Sequence, residues 1–157
     1  MNTGNDGCSD GRCPVGAITD EAFQRFIEHL PAGVVIHDRD GAVLNANALA
    51  ASLLGLSMEA LCAASARDDT WNFCRHDGSV MPADEFPALR SLLLGADLRD
   101  IVVGVRGARD GNTNWLLCNT LLVDDGAGKT AKVVVSFTDC TELKNARDAL
   151  RSSEERL

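Results

Sequence analysis

Gly33-Val-Val-Ile-His-Asp-Arg-Asp-Gly41 runs straight into Ala42-Val-Leu-Asn-Ala-Asn47, and the pattern reads as two strands around a tight turn. The β-branched run Val34, Val35 and Ile36 suits a buried pleated segment. Asp38-Arg-Asp-Gly41 supplies turn chemistry, because aspartate bonds its own following amides and glycine accepts a positive φ. The first strand is expected from Gly33 to His37 and the second from Ala42 to about Asn45, which makes a hairpin. Asn47 can then cap a helix over Ala48 to Leu54, closed by Gly55. Ser57 can cap a short helix through Leu61.

Upstream, Phe23, Phe26, Ile27 and Leu30 recur at helical spacing and predict an amphipathic helix over residues 19–30. Thr19 or Asp20 can begin it, and Pro31 disfavours its continuation. Residues 1–18 carry Gly4, Gly7, Gly11, Pro14 and Gly16 among small polar residues. They hold too little apolar surface to offset the entropy of ordering, so a loose tail is expected.

Downstream, residues 63–79 lack a clear period, yet Trp71 and Phe73 are expected to return to the core, and His76-Asp-Gly78 is a turn signal. Asp84 is the expected cap of a helix with Pro87 in its first turn and Phe86, Leu89, Leu92 and Leu93 facing inward, ended by Gly95. Three strands follow: Ile101 to Arg106, Asn114 to Val123 and Ala131 to Thr138. The turns Ala108-Arg-Asp-Gly111 and Asp124-Asp-Gly-Ala-Gly128 separate them. Five strands with short helices make an antiparallel α+β domain over residues 31–140. Over residues 141–157, Leu143, Ala146, Leu150, Ser153 and Leu157 alternate in steps of three and four. That seam fits a two-stranded coiled coil or amphipathic docking on the domain. No glycine or proline ends the pattern, which predicts that the helix leads into a further effector domain.

The order of hairpin, short helices, one longer helix and three-strand meander resembles the PAS domain. Gly33 to Gly41, Asn45-Ala-Asn47 and Leu54-Gly55 are similar to that family's opening hairpin and first helix. Asp77-Gly-Ser-Val-Met-Pro-Ala-Asp-Glu-Phe-Pro87 resembles the lead into its central helix, and Asp110-Gly111 with Trp115 its last hairpin. Thr138-Asp-Cys-Thr-Glu142 resembles the Asp-Ile-Thr-Glu ending that precedes a signalling helix. Two departures are Cys140 in place of isoleucine and the absence of proline in Thr120-Leu-Leu122. The resemblance implies a five-stranded sheet with an N-terminal amphipathic helix and a C-terminal signalling helix. It also implies a bacterial sensory input module, homodimeric and non-catalytic, regulating a histidine kinase or a cyclic-di-GMP enzyme (diguanylate cyclase) in cis.

Composition narrows the partners. Hydrophobic residues are 45% and charged residues 24% of 157, a balance that supports a globular core. Twenty-three acidic against 15 basic residues give a net charge of -8, which repels nucleic acid and anionic membranes. No apolar run is long enough to span a membrane and no secretion signal opens the chain, so a cytoplasmic location is expected. The six cysteines read as reduced thiols. Cys8 and Cys13 alone make a poor zinc site.

Three chemical motifs fail on spacing. Gly126-Ala-Gly-Lys-Thr130 lacks the first glycine of a phosphate loop, since Val123 stands there, and it falls between strands; a hairpin turn is expected. In Asn72-Phe-Cys-Arg75, Phe73 interrupts the order that flavin adduct-forming domains use, so Cys74 reads as a packed hydrophobe. His29, His37 and His76 avoid the helix where haem-ligating relatives carry their histidine. Adduct-forming flavin and haem are both disfavoured, and any cofactor is unknown. The alternation of Trp115, Leu117, Asn119 and Leu121 suggests one strand face that, with Trp71 and Phe73, lines a pocket for a small planar or polar ligand. The other possibility is that these side chains fill the core. Phe23, Phe26, Ile27, Leu143, Leu150 and Leu157 are the candidate dimer and signalling residues. Three readings follow: a ligand- or redox-responsive input module, a ligand-free adaptor for dimerisation or partner docking, and a flavin-binding redox sensor.

Overall fold

The computed structural model describes residues 20–66, 71–106 and 112–155. β1 (Gly33–Asp38) and β2 (Val43–Ala46) form the expected antiparallel hairpin. Its turn closes on Asp38, whose Oδ1 accepts the amides of Asp40 and Ala42 at 2.9 and 3.0 Å. Gly41 takes φ +98° there, a conformation that glycine enters without a Cβ penalty.

The hairpin ends in a buried knot. Asn47, 1% exposed, accepts the amides of Val34 and Ala50 on its Oδ1 at 2.9 and 3.0 Å. Its Nδ2 donates to the Ala32 carbonyl at 2.9 Å. One side chain therefore caps α2 (Ala48–Leu54) and fixes the start of β1. The helix lies so close that a Cβ on Gly33 would sit 2.8 Å from Ala50 Cα. Gly55 closes α2 in the left-handed conformation, and Ser57 caps α3 (Met58–Cys62), both as expected.

The next stretch departs from expectation. Phe73–Cys74 forms a two-residue strand, β3, paired with Val105 and Gly104. With it the sheet has six strands among the described residues, not five, in the order β2-β1-β6-β5-β4-β3. Two residues are too few to carry a period, so only the long-range pairing reveals the strand. Asp84 lies inside a 3-10 turn (Ala83–Glu85) and does not cap the following helix. α4 (Pro87–Leu94) begins at Phe86, whose side chain makes no capping bond, with Pro87 in the first turn. Proline's fixed φ starts the turn without a side-chain cap. Phe86 and Leu89 are buried and Leu92 is half-buried, but Leu93 is exposed, a correction to its inward assignment.

β4 (Leu98–Arg106) starts three residues earlier than expected, across an irregularity between Leu98 and Ile101. Asp100 has φ +56° there, and its amide donates to Asn119 Oδ1 at 3.0 Å. β5 (Thr113–Asp124) and β6 (Thr130–Asp139) are the two long strands. They are joined by the expected hairpin turn, where the Asp125 carboxylate accepts the amides of Ala127 and Lys129. The turn at 108–111, the segment 1–18, the Thr19 cap and Leu157 lie outside the described residues.

The core sits on one side of the sheet, where Val35, Val103, Leu116, Val133 and Phe137 meet Leu54, Leu61, Phe86 and Leu89. Two hydroxyls cross it. Thr120 Oγ1 donates to Ser91 Oγ at 2.9 Å and accepts the Leu98 amide, while Ser91 Oγ donates to the Ala96 carbonyl at 2.6 Å. α4 is thereby bonded to β5 and to the start of β4. α1 (Asp20–Glu28) precedes Pro31 and falls outside the unit formed by residues 31–157. In it Phe23 and Phe26 are exposed and Ile27 is buried. No helix among the described residues is long and apolar enough to cross a membrane.

Asn47→Ala strands two buried backbone amides and the part-buried Ala32 carbonyl, each costing about 1 kcal/mol or more. The variant is expected to lose about 3 kcal/mol of unfolding free energy in urea titration at an unchanged slope. A loss under about 1 kcal/mol would remove Asn47 from its structural role.

Candidate functional site

Trp71 and Phe73 enter the interior, as expected. Their rings stack with centroids 5.9 Å apart at 10°, and Phe86 meets Phe73 edge-on at 5.2 Å. Trp71 Nε1 donates to the Ser65 carbonyl at 2.7 Å. The buried His37 ring lies 5.8 Å from Trp71, and its Nδ1 donates to the Gly41 carbonyl at 2.9 Å. Burial holds the His37 imidazole below its ordinary pKa, against the opposing pull of the Gly41 carbonyl and of Asp38. The space enclosed by His37, Trp71, Phe73, Phe86, Val135 and Phe137 is about 10 Å³. That is room for one water molecule. Side chains fill the interior.

Trp115, Leu117 and Asn119 do not join them. Leu116, Cys118 and Thr120 are the buried residues of β5, and the alternate set lies on the opposite face of the sheet, half-buried, with Leu121 exposed. The expected pocket face is therefore corrected: five candidates occupy two sides of one sheet. Alternation separates the faces of a strand without saying which is covered, and both sets here are largely apolar. Burial raises the Cys118 thiol far above its ordinary pKa, and neighbouring Cys140 adds to the effect.

Trp115 has another set of partners. Its amide donates to Thr141 Oγ1 at 2.9 Å, and its carbonyl accepts the Cys140 amide at 2.8 Å. Lys144 Nζ lies 4.0 Å from the centroid of its indole. The His76 ring is 6.5 Å away. A Cβ on Gly104 would come within 2.5 Å of Cys74 Sγ and 2.8 Å of the indole, so glycine there lets ring and thiol share the strand surface. α5 (Thr141–Glu155) starts from this cluster, with Asp139 Oδ1 accepting the Thr141 amide at 2.9 Å. Among its described side chains only Thr141 and Lys144 are not exposed. Leu143 and Leu150 are 67% and 62% exposed, so the apolar seam is not docked on the sheet. Thr141 was legible in the Asp-x-Thr ending. Lys144 carried no signal, because a lysine on an amphipathic helix reads as solvated.

The sequence model for the PAS fold matches residues 21–80. No curated protein sequence matches. A domain of the sensory box sensor histidine kinase/response regulator from Geobacter sulfurreducens superposes with a TM-score of 0.54 at 21% identity, over 76% of this chain and 92% of that one. The PAS domain of Bordetella pertussis BvgS gives 0.54 at 16%, over 86% and 96%. An RNA-binding light-oxygen-voltage receptor gives 0.63 at 17%, over 94% of this chain and 40% of that one. The domain has the PAS fold.

The domain thus offers two distinct regions: a packed aromatic interior containing His37, and an outer-face cluster around Trp115 from which α5 departs. Burial lowers the pKa of His37 in the folded protein, whereas in the unfolded chain it takes a proton near its ordinary pKa of 6.5. Between those two values the unfolded state binds more protons, so its share of stability is complete above pH 6.5 and is lost as pH falls below it. Thermal midpoints are expected to drop between pH 7.5 and 5.5, and to drop less in His37→Gln. Equal drops in both proteins would show that other groups set the acid sensitivity.

Proposed function

We propose that this PAS domain is a signal-input module that works as a homodimer and regulates an effector joined through α5, either a histidine kinase or a cyclic-di-GMP enzyme. The observation that carries the reading is the departure of α5. The helix is bonded to Trp115 at its first turn, then runs on with its leucine seam in solvent. An isolated helix of this length is marginal in water. Pairing Leu143 and Leu150 with a second copy covers both and continues the helix toward an effector. Phe23 and Phe26 supply further exposed apolar surface for the same association. The net charge of -8 agrees with a cytoplasmic regulator that contacts neither nucleic acid nor membrane.

Sedimentation equilibrium tests it. The chain is expected to be dimeric, and Leu143→Lys with Leu150→Lys to weaken the dimer at least about tenfold, since covering even one leucine is worth that much. A wild-type chain that stays monomeric, or a double variant that pairs as tightly, would overturn the seam.

The aromatic lining of the interior favours a second reading, small-ligand sensing by Trp71, Phe73 and their neighbours. At about 10 Å³ the space must expand before a planar ligand fits, so binding would be coupled to movement of α4. Native mass spectrometry against flavins, haem and a metabolite panel decides between the readings. Apo mass throughout supports the ligand-free module, and a retained ligand supports sensing.

A further inference from the structure

We infer that Lys144 is a latch: its ammonium, seated on the Trp115 indole, holds the first turns of α5 against the outer face of the sheet and sets how readily the helix is released. The inference rests on reading α5 as the output element. Of the α5 side chains described beyond Thr141, Lys144 alone is turned from solvent, with 10% of its side chain exposed. A lysine ordinarily keeps its ammonium in water, so its placement here needs compensation. Two partners provide it. The indole face lies 4.0 Å from Nζ, and the Asp148 carboxylate accepts from Nζ at 2.9 Å one turn along. The Asp148 carboxyl is held below its ordinary range, chiefly by that hydrogen bond. Indole is the strongest aromatic partner for a cation, and the attraction grows as water is excluded.

The surroundings explain why the indole is available. Gly104 leaves the strand surface flat beneath the ring, and the turn after β3 brings His76 toward the same indole. The charged and titratable groups around the latch are Lys144, Asp148, Arg151 and His76, with Cys140 and Asp139 at the start of the helix. The leucines that would dock an ordinary amphipathic helix face away. Polar and cation–aromatic contacts hold the helix to the sheet, while its apolar seam remains available to a second copy. A cationic contact is released at lower cost than a leucine-packed one, because the ammonium regains hydration on leaving.

Hydrogen exchange on the 157-residue chain carrying Leu143→Lys and Leu150→Lys tests the latch, because there protection of α5 cannot come from dimer pairing. In that background Lys144→Gln is expected to speed exchange of the amides of residues 143–148 about fivefold, leaving β1 and β6 unchanged. Lys144→Arg should stay within about twofold of the parent, since a guanidinium also stacks on indole. With 5-fluorotryptophan incorporated, the Trp115 resonance, assigned through Trp115→Phe, should move in Lys144→Gln while that of Trp71 holds. The inference is overturned if Lys144→Gln exchanges like its parent, if Lys144→Arg loosens α5 as far as Lys144→Gln, or if the Trp115 resonance does not move. A monomeric wild-type chain would sink the dimer reading and leave these readouts unaffected.

Discussion

The architecture turns on three hydrogen bonds made by one buried amide. Asn47 ties the start of β1 to the first turn of α2 and holds the Ala32 carbonyl as the chain enters the sheet. The two buried amides, of Val34 and Ala50, have no water to fall back on, and no apolar residue could satisfy them. The contact at Gly33 follows from this arrangement, since α2 can lie at van der Waals distance only where the strand lacks a side chain. The hairpin, the cap and the packing of the first helix are thus one local solution, with β6 added along the open edge of β1.

That coupling explains why the N-terminal half was largely legible. Asn47, Gly55 and Ser57 act within a few residues, so their roles could be read from spacing, as could the turn at Asp38. Features that depend on distant partners were not. β3 exists because Val105 and Gly104 pair with it, and Asp84 lost its capping role when Pro87 started the helix without side-chain help. The early start of β4 depends on Asn119, nineteen residues away, receiving the Asp100 amide.

The candidate site shows the same limit more sharply. Trp71 and Phe73 reached the interior because aromatic residues in an irregular stretch have few other places to go. Trp115, Leu117 and Asn119 formed a set, but on the face opposite to the one expected. The sequence Trp115-Leu-Leu-Cys-Asn-Thr120 is apolar at most of its positions, and only contact with the helices distinguishes inside from outside. The apolar periodicity of α5 was legible, whereas the residue that seats it on the sheet is charged. The PAS fold was recognisable from the order of its motifs, and the contact of Lys144 and Thr141 with Trp115 required coordinates.

The hydroxyl pair Ser91–Thr120 acquires a mechanical meaning once β5 is viewed along its length. Thr120 lies five positions beyond Trp115, a span of about 17 Å for an extended strand. One end of that span is fastened to α4 and the other to the root of α5. β5, paired along both edges by β4 and β6, thus holds these two attachments at a fixed separation, so that α4 and the first turn of α5 share one strand as their common anchor.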